Sequence, residues 1–166
     1  IKLLTPRLVM KKIEDKDKIK LILELGNWEV SKWLSRINYP YTEEDADDWF
    51  YIVSQSNFNL NVFRNNSLIG GIGLTQNKEK FYELGFWIAE NYWGNGYASE
   101  AVRALLVFTN KQLGMNKIEA SHMYENTQSR YVLQKNGFKK QKGKGNLYSA
   151  SRKKNITTTK YILIRI

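Results

Sequence analysis

The sequence predicts an α+β fold, in which helices flank a mixed and mostly antiparallel sheet. Two strand-like segments, 59–64 and 67–75, meet at Asn65-Asn66, where side chains that tolerate positive φ favour an antiparallel hairpin. Two further strand-like segments, 81–88 and 117–124, are separated by an amphipathic helix, so we expect them to be parallel through a right-handed crossover. The chain has 166 residues and 42% hydrophobic residues, with no repeat and no long linker, which predicts a single domain over 1–166.

The N-terminal third is predicted to form one strand and three helices. Alternating Leu8 and Met10 favour a strand over 5–11, and a helix follows over 15–25 until Gly26. Asn27 is suited to cap a short second helix, and Thr42 to cap a third helix whose first turn is acidic. Gly70, Gly71 and Gly73 lie inside the second hairpin strand, which indicates a bulge or a close approach of two backbones.

The stretch Phe81–Gly114 joins a buried strand, a glycine-rich turn and a helix that ends at Gly114. A helix start offers free backbone N–H groups and the positive end of the helix dipole, and glycines at 94 and 96 leave the backbone open to a ligand. These features predict a phosphate or pyrophosphate site at residues 93–99. The alternative is that the glycines serve only to form the turn.

The C-terminal third continues with a strand over 117–124 and a helix capped by Asn126 and stopped by Asn136-Gly137. A further strand begins at Phe138, and a last strand covers Tyr161–Ile166. The segment between them, 143–154, is rich in Lys, Gly and Ser and is predicted to be a mobile basic loop.

Composition excludes several classes of site. The chain has no cysteine and one histidine, so we expect no disulfide framework and no thiolate or multi-histidine metal site. It contains no apolar run of about 18 residues and no signal-like segment, which favours a soluble cytoplasmic protein without membrane contact. The net charge of +10 suits an anionic partner such as nucleic acid, an acidic protein or a polyphosphate cofactor, although a solvated surface would have the same composition.

Two motifs carry a resemblance to a known family. Trp93-Gly94-Asn95-Gly96-Tyr97-Ala98 fits the pattern Gln/Arg-x-x-Gly-x-Gly/Ala from its second position onward, and residues 125–138 resemble an "ENxxS…vLxKxGF" segment. With the opening Thr5-Pro6-Arg7-Leu8-Val9 and the segment 40–46, they resemble the GNAT N-acetyltransferases. The similarity is to the RimJ/RimL-like branch, which acetylates the N-termini of ribosomal proteins, and it spans nearly the whole chain. Trp93 stands where the family usually has Gln or Arg.

The resemblance implies a GNAT-like domain whose central parallel strands splay around acetyl-coenzyme A (acetyl-CoA). It places the pantetheine along the central strand near Trp87 and Ile88, and the thioester in the gap between the strands. Asn126 resembles the side chain that hydrogen-bonds the pantetheine, and it can also serve as a plain helix cap. The residues implied for the pyrophosphate are those of the turn and the helix start: Trp93, Gly94, Asn95, Gly96, Tyr97, Ala98 and Ser99.

The implied reaction is direct attack of a primary amine on the thioester. A backbone N–H near Ile88 would polarise the carbonyl, and Ser129 matches the family position that protonates the departing thiolate, unless it only caps the helix. Leu133 replaces the tyrosine that other branches use, which leaves Tyr124 and Tyr131 as reserves. Glu83 is the base candidate through a water, or else a solvent-facing strand residue. The family's alternative base position falls on Gln76, and the strand position of His122 favours a structural role.

The acceptor stays open at this point. A protein N-terminus or a small-molecule amine would serve, an acidic acceptor would suit the charge, ribosome association is compatible with it, and monomer and homodimer are both allowed. The aromatic residues that could line the acceptor mouth, or belong to the core, are Trp28, Trp33, Tyr39, Tyr41 and Trp49.

Two rival functions are open as well. A dinucleotide-binding oxidoreductase fits Gly94-x-Gly96 and Glu119 but meets Ser99 at its third glycine position. A basic RNA- or ribosome-binding module without catalysis fits the charge.

Overall fold

The computed structural model describes residues 1–165, which form one nine-stranded sheet with helices on both faces. The strand order is β1-β2-β3-β4-β5-β6-β9-β7, and β8 also pairs with β9. The strands are β1 (Leu3–Leu4), β2 (Val9–Lys11), β3 (Asn59–Arg64), β4 (Ser67–Gln76), β5 (Tyr82–Ile88), β6 (Lys117–Met123), β7 (Lys139–Lys140), β8 (Gly145–Ser149) and β9 (Lys154–Ile164). The α-helices are α1 (Lys18–Leu25), α2 (Trp28–Ser31), α3 (Glu43–Ser54), α4 (Tyr97–Leu113) and α5 (Thr127–Lys135). The mixed α+β architecture is confirmed.

The prediction of a single first strand over 5–11 is wrong. β1 and β2 form a small antiparallel hairpin, in which Leu3 pairs with Met10. The turn between them is held by Thr5, whose amide donates to the Leu8 carbonyl at 3.0 Å and whose hydroxyl accepts from the Leu8 amide at 2.9 Å. Pro6 has no N–H to give to a ladder, and a threonine hydroxyl that bonds nearby backbone favours a turn over a strand.

Helices α1, α2 and α3 cover one face of the sheet over β2, β3 and β4. The predicted caps are confirmed: the Asn27 side chain accepts from the Glu29 amide at 3.0 Å, and Thr42 forms a capping box with Asp45. Not all apolar side chains of α1 face the core. Leu21 and Leu25 are buried, whereas Ile19 and Leu23 are exposed.

The hairpin of β3 and β4 turns at Asn65 and Asn66, both with positive φ, as predicted. The glycines in β4 allow a close approach of β5. A Cβ on Gly70 would overlap the carbonyl oxygen of Trp87, and a Cβ on Gly71 would overlap the Trp87 indole. This contact brings β4 and the end of β5 together with no side chain between them.

The parallel pairing of β5 with β6 is short. It covers three residue pairs and ends at Leu84 opposite Ala120, whereas β5 stays paired with β4 as far as Ile88. Beyond Leu84 the two parallel strands diverge, which confirms the predicted splay. Helices α4 and α5 pack on the face of the sheet that carries Leu84 and Ile88, so the gap opens beside the starts of both helices.

The prediction of a mobile basic loop over 143–154 is also wrong. Residues 145–149 form β8, which pairs with β9, and the last strand begins at Lys154 rather than Tyr161. Accessibility alternates along β8, with Tyr148 exposed and Ser149 buried, a period of two that the Lys- and Gly-rich composition concealed. The predicted end of the last strand at 166 lies outside the described residues.

No helix within 1–165 is long and apolar enough to span a membrane.

Candidate active site

The turn from β5 into α4 has the shape of an anion cradle. Gly94 and Gly96 have φ of 76° and 79°, in the left-handed region that side chains strain to adopt. Gly96 precedes the first residue of α4 and makes no side-chain cap. The positive end of the 17-residue helix therefore faces the turn without a side-chain cap from Gly96.

The backbone amides of residues 94–99 are free. Within residues 1–165 none of these six N–H groups donates to a protein acceptor, and the first amide with a partner is that of Glu100, which donates to the Gly96 carbonyl at 3.0 Å. Unpaired donors at a helix start are satisfied by water or by a ligand. Six such donors in succession, around two glycines, form the kind of helix start that is suited to binding an anion.

The edge of β5 offers further backbone donors to the gap. The Ala89 amide donates to the Ile69 carbonyl at 2.8 Å. Because only alternate residues of an antiparallel strand bond a given neighbouring strand, the N–H and C=O groups of Phe86 and Ile88 point away from β4 and toward the gap. The Ile88 carbonyl accepts from the Trp93 indole at 2.6 Å. The Trp87 backbone faces β4 instead, and its side chain packs over Gly71 on the opposite face.

The first turn of α5 flanks the gap from the other side. The Asn126 side chain accepts from the Ser129 amide at 3.1 Å, so Asn126 is a helix cap. The Ser129 hydroxyl has no hydrogen-bond partner within residues 1–165 and is partly exposed. Tyr124 and Tyr131 are exposed, whereas Leu133 is fully buried in the core.

Glu83 lies on the face of the sheet opposite α4 and α5, next to the last parallel pair. Its carboxylate accepts from the Ser121 hydroxyl at 3.1 Å and remains partly exposed. Gly85 follows on the same face, is exposed, and has no atom within 4 Å of where its Cβ would lie. The Gln76 side chain instead donates to the Lys80 carbonyl at 3.0 Å in the adjoining turn. Glu83 is therefore the acid that borders open space at the gap.

Comparison with known proteins identifies the fold. A family model described as "Acetyltransferase (GNAT) domain" matches residues 7–139. The chain belongs to the GNAT acetyltransferase family. An uncharacterized N-acetyltransferase p20 of Bacillus licheniformis is 31% identical over 149 residues, which are 84% of this chain and 83% of that protein.

Solved structures agree with this assignment. A GNAT-family acetyltransferase from Bacillus anthracis superimposes with a TM-score of 0.85 at 26% identity, over 99% of this chain and 98% of that one. RimL, a ribosomal alpha-N-protein acetyltransferase in complex with coenzyme A, superimposes with a TM-score of 0.79 at 16% identity, over 99% and 98% of the two chains. GNAT enzymes use acetyl-CoA, so the oxidoreductase and the non-catalytic RNA-binding interpretations are set aside.

The structure adds to this acetyltransferase a set of contacts that the sequence analysis missed, which we call the Arg7 brace: Thr5, Arg7 and Glu100. The Thr5 hydroxyl donates to one Glu100 oxygen at 2.6 Å, and Arg7 Nε donates to the other at 2.7 Å. Arg7 Nη1 also donates to the Asn95 carbonyl at 3.0 Å. Burial acts to raise the pKa of Glu100, but the hydrogen bonds from Thr5 and Arg7 outweigh it and leave that pKa lowered. An acid in the first turn of α4, beside an anion site, was the available signal.

Two of the implied cofactor residues have structural side chains. The Ser99 hydroxyl is buried and accepts from the Asn136 side chain at 3.1 Å, which ties α4 to the end of α5. The Tyr97 ring is buried, and the guanidinium groups of Arg7 and Arg64 lie 4.6 and 5.4 Å from its centre. For both residues the free amide is the group left to bind a ligand.

Two of the five aromatic residues considered for the acceptor mouth, Trp28 and Tyr39, are exposed, on α2 and in the loop that follows it. Trp28 and Tyr39 are in edge contact, with ring centres 4.9 Å apart, and Arg152 lies 5.0 Å from the Trp33 ring. Tyr41 is buried and Trp49 packs against the same core cluster. Arg152 Nε also donates to the Lys32 carbonyl at 2.8 Å, so the turn between β8 and β9 is held against α2. Trp28 and Tyr39 are therefore surface aromatics, while Tyr41 and Trp49 belong to the core.

His122 lies on the core side of β6, away from Glu83. Its Nδ1 is 2.7 Å from the Met123 carbonyl and its Nε2 is 3.4 Å from the Tyr161 hydroxyl, and the residue is buried. No group of three or more His, Cys, Asp or Glu side chains that could hold a metal occurs in the part of the chain that the structure describes.

Proposed function

We propose that this acetyltransferase moves the acetyl group of acetyl-CoA onto the α-amine of a protein N-terminus by direct attack. The observation that carries the proposal is the run of six unpaired amides at residues 94–99, beside strands that diverge at Leu84. An α-amine has a pKa of about 7.7–8.0, against about 10.4 for lysine, so a substantial fraction is already neutral near pH 7.5. The similarity in fold to RimL, an alpha-N-protein acetyltransferase, supports the same acceptor class.

The residues present fit the donor. The amides of residues 94–99 would hold the diphosphate, and the backbone of Phe86 and Ile88 would pair with the amides of the pantetheine. The indole of Trp93 already donates to the Ile88 carbonyl, so a pantetheine amide would share that oxygen with Trp93 or replace it. Bound acetyl-CoA supplies an activated thioester. The residues around the gap would orient this thioester.

The catalytic roles follow from the groups that border the gap. The Ile88 amide points to the position where negative charge would develop on the carbonyl oxygen. The Ser129 hydroxyl, with no protein partner in residues 1–165, can give its proton to the departing sulfur and recover one from water. Asn126 fixes that turn of α5 through its cap.

Glu83 would accept the proton of the incoming amine through a water. Its carboxylate is oriented by the Ser121 hydroxyl and borders the open space at Gly85. A carboxylate is a weak base, which suits an amine of which a substantial fraction is already neutral. This match between base and acceptor is a second reason to favour an α-amine over lysine.

The proposal is tested by a thiol-release screen with acetyl-CoA. The acceptors are peptides with a free N-terminus, the same peptides N-blocked but containing lysine, and small amines including polyamines and aminoglycosides. We expect turnover with free N-termini and loss of turnover after blocking. Turnover confined to small amines would contradict the proposed acceptor, and no thiol release with any amine would contradict the proposed transfer.

Variants test the roles. We expect Glu83→Gln and Ser129→Ala each to lower kcat by about 100-fold while the Kd for coenzyme A stays within about twofold. Glu119→Gln is the matched control for Glu83, because Glu119 lies opposite it on β6, bonded to Asn77.

Gly96→Val should abolish coenzyme A binding in calorimetry, whereas Gly114→Val, at the left-handed C-terminal cap of the same helix, should lower stability alone. Unchanged binding with Gly96→Val would contradict the cradle.

A further inference from the structure

A surface hollow lies at the start of α5 and is lined by no residue of 86–99. We call it the basic cleft: two adjoining hollows of about 450 and 300 Å³ that share Tyr124, Lys140 and Thr159. It lies between the start of α5, the ends of β6 and β9, and the segment 140–144. That segment is the basic stretch to which the proposed function gives no role.

The lining of the basic cleft carries more positive than negative charge. Its cationic side chains are Arg130, Lys140, Lys142 and Lys144, and the carboxylate on its lining is Glu125, which faces Arg152 at 3.9 Å. Within residues 1–165 none of those four cations has a carboxylate within 4.0 Å. Unpaired cations around a concave surface concentrate positive potential and attract anions.

The floor of the cleft adds no negative charge. Burial lowers the pKa of His122, and the fields of Arg130 and Lys140 lower it further, against the hydrogen bond to the Met123 carbonyl. His122 is therefore neutral at neutral pH and packs on Tyr161, with ring centres 5.3 Å apart. The cations on the rim are thus left for a ligand.

An aromatic ring stands among these cations. Tyr124 is 56% exposed, and Lys144 Nζ lies 4.9 Å from its ring centre. Grooves for single-stranded nucleic acid combine cations along the backbone with aromatic rings on which bases stack. A carboxylate-rich peptide could pair with the cations, but it has no planar base to stack on the Tyr124 ring. Lysine and arginine side chains both bind phosphate, so the four cations can follow a phosphate backbone.

We propose that the basic cleft binds a single-stranded polynucleotide, with phosphates on Arg130, Lys140, Lys142 and Lys144 and a base stacked on Tyr124. The basic cleft borders the first turn of α5, which carries Ser129, but no residue of 86–99 lines it. It would bring the enzyme to a nucleic-acid-bearing assembly.

The test measures binding of a fluorescent oligouridine of about ten nucleotides by anisotropy at several salt concentrations. With four phosphate contacts, the slope of log K against log salt is expected to be about −2.8, a loss of about 50-fold between 50 and 200 mM. In the triple variant Lys140→Gln, Lys142→Gln, Lys144→Gln the slope should fall to about −0.7, a loss of about threefold over the same range. The charge-matched control Lys2→Gln, Lys78→Gln, Lys111→Gln, at exposed lysines outside the cleft, should behave as wild type.

Tyr124→Ala separates stacking from charge. We expect binding about tenfold weaker with the slope unchanged. The ring signals of His122, the single histidine of the chain, should shift during an NMR titration with the oligonucleotide. The proposal is overturned if the two triple variants have equal slopes, if His122 does not respond, or if an acidic peptide binds the cleft more tightly than RNA and Tyr124→Ala has no effect. A DNA oligomer of the same length tells whether the sugar matters.

Discussion

Removing the Arg7 side chain is expected to weaken coenzyme A binding, because it leaves the negative charge of Glu100 uncompensated. Glu100 carries a carboxylate in the first turn of α4, beside the six free amides, where it would repel a bound diphosphate. Arg7 neutralises it and also holds the Asn95 carbonyl, which keeps that oxygen away from the amides. Arg7→Gln leaves the acid uncompensated, so we expect a higher Kd for coenzyme A.

The magnitude follows from the geometry. A diphosphate at the start of α4 would lie about one and a half helical turns from Glu100, roughly 8 Å. At an effective dielectric constant of about 40–80, each pair of unit charges at that distance costs about 0.5–1 kcal/mol. About two phosphate charges give about 1–2 kcal/mol, or about 5- to 30-fold in Kd. The effect on stability should be smaller, at most about 1 kcal/mol, because the Arg7 side chain is 46% exposed.

Calorimetry with coenzyme A on four proteins tests this reasoning: wild type, Arg7→Gln, Glu100→Gln and the double variant. The double variant should recover most of the affinity lost in Arg7→Gln, because the repelling charge is gone. Arg64→Gln is the control, since Arg64 also contacts the Tyr97 ring but does not pair with Glu100, and its Kd should stay within about twofold. A double variant as weak as Arg7→Gln would refute the electrostatic account and leave loop geometry as the role of Arg7.

Two further predictions concern stability. Burial and nearby cations lower the pKa of His122 below its ordinary value of 6.5, so the unfolded chain binds the proton first as pH falls. The free energy of unfolding should therefore decrease between about pH 7.5 and 5.5, less so in His122→Gln, and equal slopes in urea titrations would contradict this. The buried Tyr41 hydroxyl has no hydrogen-bond partner in residues 1–165, so Tyr41→Phe should raise the free energy of unfolding by about 1 kcal/mol, and a loss of stability would contradict it.

The sequence predicts the turn and helix at residues 93–114 well because the determinants are local. Gly94 and Gly96 adopt left-handed conformations, Gly114 ends the helix in the same region, and Asn126 and Thr42 cap with their own side chains. Each of these choices depends on residues within about four positions, which is the range that turn and cap chemistry covers. The splay of β5 from β6 came from the family resemblance instead.

The Arg7 brace was beyond sequence reasoning because it joins residues 93 positions apart. Thr5 and Arg7 were interpreted as part of a strand, and the structure makes them a turn whose side chains reach α4. The strand β8 was missed for a related reason. Its alternation is carried by Leu147 and Ser149 among polar neighbours, and its partner β9 lies across a turn at Lys153 with positive φ. Pairing with a long buried strand outweighs a composition typical of loops.

The alternation of side chains along β5 explains why donor and acceptor groups can occupy different faces of one strand. Leu84 and Ile88 point into the core under α4 and α5, whereas Glu83 and Gly85 face the open side. In the proposed reaction the strand would act as a partition, with the diphosphate cradle on one face and the amine with its base on the other. The two can meet only where β6 has diverged, beyond Leu84. A substitution that extended the β5–β6 pairing past Ala120 would close this passage and engage the backbone groups of Phe86 and Ile88, so in the proposed reaction activity should depend on the length of the parallel ladder.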